Sequence, residues 1–252
     1  MKNQYVTNDA GLRLAARPQP GHPPWVVFLG GFASDMTGTK AEYLAEWCRQ
    51  REQAFLRFDY TGHGASDGRF EEGSIGQWCA DAQAVIEKLT DGPCVLVGSS
   101  MGGWIMLHVT LALGARVRGL VGVAAAPDFT RALVSQELTS VEREELQRSG
   151  QVLLRSPYDP EGTIISAALI EDGEQQCLLD RPIAIDCPVR LLQGMADSEV
   201  PWQIALRLAT ALAGTDVQVR MIKDGDHRLS APAQLALLGA ALDEVLAGSA
   251  TA

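Results

Sequence analysis

Short apolar runs alternate with longer stretches of helical hydrophobic spacing along most of the chain. Such runs have the length of buried strands, and the stretches between them have the periodicity of amphipathic helices. The pattern predicts helices at about Thr39–Arg51, Ser74–Leu89 and Met101–Leu113. It predicts strands at Trp25–Leu29, Ala54–Phe58, Cys94–Val97, Leu120–Ala125, Val189–Leu192 and Val217–Ile222. Strands that alternate with helices favour an α/β fold, with a mostly parallel central sheet covered by helices on both faces.

This alternation stops between about residues 128 and 182. The segment has charged helical stretches, such as Val141–Arg148, and no convincing buried strand. We interpret it as a helical lid inserted over the edge of the sheet where the strands end, since ligands bind at that edge in open α/β folds. A pair of ordinary packing helices is the alternative. The length of 252 residues is typical of one domain, which we place at residues 1–252.

Composition narrows the possible partners. The chain has 31 acidic and 21 basic residues, a formal net charge of −10, and no cluster of lysine or arginine. We therefore expect no nucleic-acid partner. No apolar run approaches the length of a membrane span. The five cysteines lack the spacing of a zinc site, so we predict no metal or other cofactor and a reducing compartment. With no apolar signal segment near the N-terminus, we predict a cytoplasmic location.

A Gly98-x-Ser100-x-Gly102 motif lies between the third predicted strand and the helix that follows. A sharp strand-to-helix turn would hold the Ser100 hydroxyl clear of the sheet, at the positive end of the helix. That position suits a nucleophile. A glycine-rich turn without catalytic function is the alternative for the motif taken alone.

A serine nucleophile needs a base, and the chain has four histidines. In folds with this turn the serine precedes the acid and the histidine, which excludes His22 and His63. His108 lies eight residues along the helix that follows Ser100, about 12 Å away at 1.5 Å per residue. This distance is too long for a hydrogen bond to the Ser100 hydroxyl. His227, after the last predicted strand, remains as the candidate base.

An acid that orients His227 should follow a strand at the same edge of the sheet. Asp197 follows the fifth predicted strand, whereas Asp186 and Asp216 precede strands and fall at the opposite edge. Asp128 is a rival, and Glu199 is a weaker one. We predict that Asp197 fixes the tautomer of the imidazole and stabilises the imidazolium.

An oxyanion formed at the substrate needs two backbone donors. We predict the N–H of Met101, which follows the nucleophile, and the N–H of Phe32, in the loop after the first predicted strand. Two apolar side chains near these positions are candidate substrate contacts. Trp104 either packs in the core or lines an acyl pocket, and Met36 lies at the expected entrance.

Several longer segments carry a family resemblance. They are Gly38–Ala41, Arg57–Tyr60, Gly98–Trp104, Cys187–Leu192, Val200–Trp202 and Asp226–Arg228. With them the chain resembles the α/β-hydrolase superfamily. Within it, the chain is similar to relatives of α/β-hydrolase domain-containing protein ten, a palmitoyl-protein thioesterase that also hydrolyses the acyl glucuronide of mycophenolic acid. The resemblance implies the α/β-hydrolase fold, a triad of Ser100, Asp197 and His227, and a preference for thioesters.

Two features differ from that family. Animal members carry a mitochondrial transit segment, and nothing comparable precedes Trp25, so we do not transfer their location. Superfamily members often have His-Gly before the oxyanion residue, where this chain has Leu29-Gly30-Gly31-Phe32. The backbone donor remains available, although the side-chain contacts of the loop differ.

The sequence thus predicts a serine hydrolase that cleaves carboxylic esters or thioesters of small or acylated substrates through an acyl-enzyme on Ser100. One alternative is a ligand-binding or signalling protein on the same scaffold, with negligible turnover. Another is a C–C hydrolase or perhydrolase that uses the same triad.

Overall fold

The computed structural model describes residues 2–156 and 159–249. Its largest element is an eight-stranded sheet with the order β1-β2-β4-β3-β5-β6-β9-β10, and β7 and β8 form a separate hairpin. The strands are β1 Gln4–Thr7, β2 Arg13–Gln19, β3 His22–Leu29, β4 Gln53–Phe58, β5 Cys94–Ser99, β6 Val117–Val123, β7 Gln151–Ser156, β8 Asp159–Ser166, β9 Val189–Gly194 and β10 Val217–Ile222.

Six neighbouring strands, from β4 to β10 in the order of the sheet, are parallel, and β1 and β2 add an antiparallel edge. The predicted α/β fold with a mostly parallel sheet is confirmed. The antiparallel edge is a finding that the hydrophobic pattern did not predict. β2 contains a proline and three charged or amide side chains among its seven residues, so it lacks the continuous apolar run of a central strand.

Helices cover both faces of the sheet. They are α1 Thr39–Gln50, α2 Ile75–Leu89, α3 Met101–Leu113, α4 Phe129–Ala132, α5 Ser140–Ser149, α6 Ala167–Gln175, α7 Gln203–Ala211 and α8 Pro232–Ser249. Side chains of β5 alternate between two cores: Leu96 packs with α2 and α3, whereas Val95 and Val97 pack with α1 and α8. This alternation follows from the two-residue period of a strand.

The segment between β6 and β9 contains α4, a π-helical turn at Leu133–Glu137, α5, the β7–β8 hairpin and α6. The expectation of an all-helical insertion was wrong, because the hairpin pairs Val152 with Ile165 and buries both side chains. Each of these strands has only two or three consecutive apolar residues between polar ones, a run too short to distinguish a strand from a loop in the sequence. That the segment acts as a lid, and that residues 1–252 form one domain, remain predictions.

Within the described residues, no helix is long and apolar enough to cross a bilayer.

Candidate active site

Ser100 occupies a sharp turn between β5 and α3. Its backbone has φ 53° and ψ −122°, a region that side chains with a Cβ rarely adopt. The turn is held by three hydrogen bonds: the Ser100 N–H donates to the Val123 carbonyl at 3.0 Å, and the Ser100 carbonyl accepts from Gly103 at 2.8 Å and Ala126 at 3.1 Å. The surrounding backbone therefore fixes the strained conformation that the Gly98-x-Ser100-x-Gly102 motif predicted.

The glycines of the motif allow three backbone segments to meet at this turn. A Cβ on Gly98 would lie 2.5 Å from the Gly102 carbonyl oxygen, and one on Gly102 would lie 2.1 Å from the Leu29 carbonyl oxygen. Both distances are far below van der Waals contact, and the clashing atoms are backbone atoms that cannot rotate away. Glycine is required here by close packing.

His227 lies beside Ser100, in the loop after β10. Its Nε2 is 3.0 Å from the Ser100 Oγ, and its Nδ1 is 2.9 Å from the Asp197 Oδ2. The imidazole is nearly enclosed, with 13% of its side chain exposed. The structure thus brings together the three side chains that the sequence predicted, with His227 between Ser100 and Asp197.

Asp197 follows β9 and has no exposed side-chain surface. Its Oδ1 accepts the backbone N–H groups of Glu199 and Val200 at 2.9 and 2.8 Å, and its Oδ2 also accepts the Gln193 side-chain amide at 3.0 Å. Burial alone would raise the pKa of Asp197. The hydrogen bond and charge of His227 and the two backbone donors outweigh burial, so the pKa is lowered and the carboxylate is ionised near neutral pH.

The other three histidines have different environments. His22 is exposed, and His108 contacts the Gln176 carbonyl at 2.9 Å. His63 is buried beside the Thr61 carbonyl, and burial lowers its pKa to about 4. These positions agree with the elimination that left His227.

The rival acids occupy two separate places. Both carboxylate oxygens of Asp128 accept backbone N–H groups, from Leu178 at 2.8 Å and Leu179 at 2.9 Å, so this residue anchors the chain after α6. The Oε2 of Glu199 lies 3.6 Å from the His227 Nε2, on the nitrogen that faces Ser100. Glu199 therefore belongs to the site, although Asp197 holds the orienting position.

The loop after β3 lies against Ser100. A Cβ on Gly31 would be 3.3 Å from the Ser100 Cβ, so the residue before Phe32 lies against Ser100. The Phe32 ring packs edge-on against Phe70 and Phe129, with ring centroids 4.8 and 5.6 Å apart. Met101 begins α3, so its N–H is one of the first four of the helix, which have no partner in the preceding turn.

Residues at the end of β4 hold this loop, a role that sequence reasoning missed. Arg57 donates to the Met36 carbonyl at 2.9 Å, and the Met36 N–H donates to Asp59 at 2.7 Å. Tyr60 donates to the Gly30 carbonyl at 3.3 Å. The signal was present in the Arg57–Tyr60 segment, which contributed to the family resemblance without an assigned function.

The two predicted substrate contacts are both core residues in this structure. Met36 is 2% exposed and Trp104 is fully buried, and the Trp104 indole donates to the Gln176 carbonyl at 3.2 Å. Packing therefore accounts for both side chains as they stand. Contact of either side chain with a substrate remains a prediction.

Among the described residues, no group of three or more histidine, cysteine, aspartate or glutamate side chains is arranged to hold a metal ion.

Comparison with known proteins places the chain in a family. The Hydrolase_4 family model, described as serine aminopeptidase, S33, matches residues 22–175. Palmitoyl-protein thioesterase ABHD10, mitochondrial, from Bos taurus is 40% identical over 236 residues, which cover 92% of this chain and 76% of the relative. The chain is an α/β hydrolase of this family, related to ABHD10. The human protein of the same name is 39% identical over 234 residues, which cover 92% of this chain and 76% of the human protein.

Solved structures agree with this assignment. A putative hydrolase from Agrobacterium vitis S4 superposes with a TM-score of 0.91 at 39% identity, covering 97% of both chains. Mouse α/β hydrolase domain-containing protein 10 superposes with a TM-score of 0.90 at 38% identity, covering 98% of both chains. The α/β-hydrolase fold predicted from the sequence is confirmed.

Proposed function

We propose that this α/β hydrolase cleaves carboxylic esters or thioesters through an acyl-enzyme on Ser100. The observation that carries the proposal is the continuous hydrogen-bonded chain from Ser100 through His227 to Asp197, with heavy-atom distances of 3.0 and 2.9 Å. The 3.0 Å distance is within the range in which a base can take a proton from a nucleophile. The 2.9 Å distance is that of a hydrogen bond by which Asp197 orients the base.

In the proposed reaction, the Ser100 Oγ attacks the acyl carbon while its proton passes to the His227 Nε2. Asp197 accepts a hydrogen bond from the Nδ1–H of His227 and stabilises the imidazolium. The N–H groups of Phe32 and Met101 stabilise the oxyanion of the tetrahedral intermediate. The leaving alcohol or thiol takes the proton from Nε2, and the acyl group stays on Ser100.

Hydrolysis of the acyl-enzyme repeats these steps with water. His227 takes a proton from a water molecule while the oxygen of that water attacks the acyl carbon. His227 then returns the proton to the Ser100 Oγ. The products are a carboxylic acid and the free enzyme. No cofactor is required by this sequence of steps.

The choice of esters and thioesters is supported by the relatives. The family description names a serine aminopeptidase, whereas the relatives that match 92% of this chain are named palmitoyl-protein thioesterases. We therefore propose an acylated substrate with a hydrophobic acyl group. A cytoplasmic location and a lid at residues 128–182 complete the proposal as predictions of the sequence.

The test is hydrolysis of acyl esters and acyl thioesters of graded chain length by the wild type, Ser100→Ala and Ser99→Ala. We expect the first variant to lose several orders of magnitude in kcat, since it removes the nucleophile. Ser99 precedes it on β5 and makes no contact with His227, so Ser99→Ala is the matched control. Equal rates for the wild type and Ser100→Ala would refute the proposal.

A fluorophosphonate that modifies serine nucleophiles provides a second readout. We expect stoichiometric labelling of Ser100 in the wild type, located by mass spectrometry, and turnover of at least one ester or thioester. Labelling without turnover of any substrate would favour the binding or signalling alternative over the enzyme.

A further inference from the structure

A second carboxylate faces the imidazole of His227. The Glu199 Oε2 lies 3.6 Å from the Nε2, the nitrogen that is also 3.0 Å from the Ser100 Oγ. Asp197 occupies the opposite nitrogen at 2.9 Å. The Glu199 N–H donates to Asp197 at 2.9 Å, so the backbone that carries Glu199 is anchored to the triad itself.

One oxygen of Glu199 is left unpaired. Its Oε1 is buried and has no hydrogen-bond partner among the described residues, while 34% of the side chain as a whole remains exposed. Buried carboxylate oxygens without a partner are rare, because desolvating them without a hydrogen bond costs free energy.

The position of Glu199 relative to a leaving group follows from the proposed reaction. The leaving atom must come within about 3 Å of Nε2 to take its proton. Glu199 Oε2 is 3.6 Å from the same nitrogen. The leaving atom therefore passes within roughly 6 to 7 Å of a carboxylate oxygen at the moment of proton transfer. Substituents one or two bonds further along can come closer still.

We propose that Glu199 selects the leaving group by its charge. It favours cationic and hydrogen-bond-donating leaving groups and disfavours anionic ones. This inference rests on the proposed function, and it adds the chemical class of the leaving group to it. This geometry concerns only the leaving-group side of the substrate, to which His227 delivers the proton.

Coulomb's law gives the size of the effect. A unit charge on the leaving group, roughly 7 Å from the Glu199 carboxylate, changes kcat/KM about 3-fold in a water-like dielectric. At an effective dielectric constant of 20 the change is about 50-fold. Glu199 is partly exposed, so the lower part of this range applies at moderate ionic strength. The effect increases at low salt.

The experiment compares three thioesters that share one acyl chain and differ in the charge of a two-carbon thiol. They are the acyl thioesters of thiocholine, 2-mercaptoethanol and 2-mercaptoethanesulfonate. Thiol release with a chromogenic disulfide reagent gives kcat/KM for each substrate with the wild type, Glu199→Gln and Asp224→Asn. Asp224 is exposed in the loop before His227, so its variant removes the same charge without contacting the imidazole.

We expect the wild type to hydrolyse the cationic thioester fastest and the anionic one slowest. Each of the two opposite charges contributes about 3-fold, so Glu199→Gln should reduce the ratio of the cationic to the anionic rate by about 9-fold or more. Asp224→Asn should leave this ratio close to that of the wild type. The ratio is measured within one preparation, so it does not depend on the fraction of enzyme that is folded.

The outcomes separate the two proposals. Hydrolysis by the wild type with the same charge ratio in Glu199→Gln would overturn the role of Glu199 and leave the proposed function intact. Equal reduction of the ratio by both variants would overturn it as well, since the effect would then come from the overall charge of the protein. Absence of turnover on all three thioesters and on matched esters would overturn both proposals.

Discussion

Replacing Ser100 with glycine should leave the protein more stable than replacing it with alanine. Ser100 has φ 53° and ψ −122°, and alanine keeps the Cβ that makes this conformation unfavourable. Glycine lacks it. Both variants lose the hydrogen bond to His227, so the comparison between them isolates the backbone strain.

The expected difference comes from two opposing terms. A non-glycine residue in such a region costs about 1–3 kcal/mol. Glycine loses about 0.5–1 kcal/mol through the greater freedom of the unfolded chain. Ser100→Gly should therefore exceed Ser100→Ala in free energy of unfolding by about 0.5–2 kcal/mol. In a protein of this size, each kcal/mol raises Tm by roughly 2–4 °C.

Urea unfolding followed by tryptophan fluorescence measures this difference. Ser99 is the control, because it lies in β5 with ordinary extended geometry. There the sign should reverse, with Ser99→Gly less stable than Ser99→Ala by about 0.5–1 kcal/mol. If Ser100→Gly were no more stable than Ser100→Ala, the strain attributed to the turn would be refuted.

Two further predictions concern the supports of the site. Asp59→Asn places an amide donor where a carboxylate accepts the N–H groups of Met36 and Ala65. This variant should therefore lower kcat more than it raises KM, and circular dichroism checks that it is folded. An unchanged kcat would show that the oxyanion loop does not depend on Asp59. Burial lowers the pKa of Lys40 to about 8, against about 10.4 in an unfolded chain. Between these values the unfolded state binds more protons, so from pH 8 to 10 the wild type should gain stability relative to Lys40→Met, by up to about 3 kcal/mol in urea unfolding. A difference that stays constant with pH would contradict this, and the exposed Lys223→Met provides the control.

The six parallel strands and the proximity of Ser100, His227 and Asp197 could be predicted from the sequence, because they depend on local pattern and sheet polarity. Parallel strands place their carboxyl ends at one edge, which selected Asp197 over Asp186 and Asp216 without any knowledge of distances. The order of the residues along the chain and the rise of the helix after Ser100 left His227 as the candidate base. The structure places its Nε2 3.0 Å from the Ser100 Oγ.

Features that depend on long-range packing were not predictable in this way. The β7–β8 hairpin has too few apolar residues to differ from a loop in the sequence, and its buried Val152–Ile165 pair becomes evident only in three dimensions. Whether Trp104 faces a cavity or the core depends on how α6 packs on it. The contact between Glu199 and His227 depends on the path of the loop after β9, which no periodicity specifies.

The close meeting of glycine backbones around Ser100 has a consequence for how the sequence can vary. Gly98 and Gly102 have no room for even one methyl group, and Gly31 lies at the contact limit with Ser100. In the described part of the segment Phe129–Gln175, no glycine lies against the turn at Ser100. Directed-evolution libraries that seek new substrates should therefore leave the junction of β3, β5 and α3 fixed and place their diversity in that segment, where changed residues lie outside this junction.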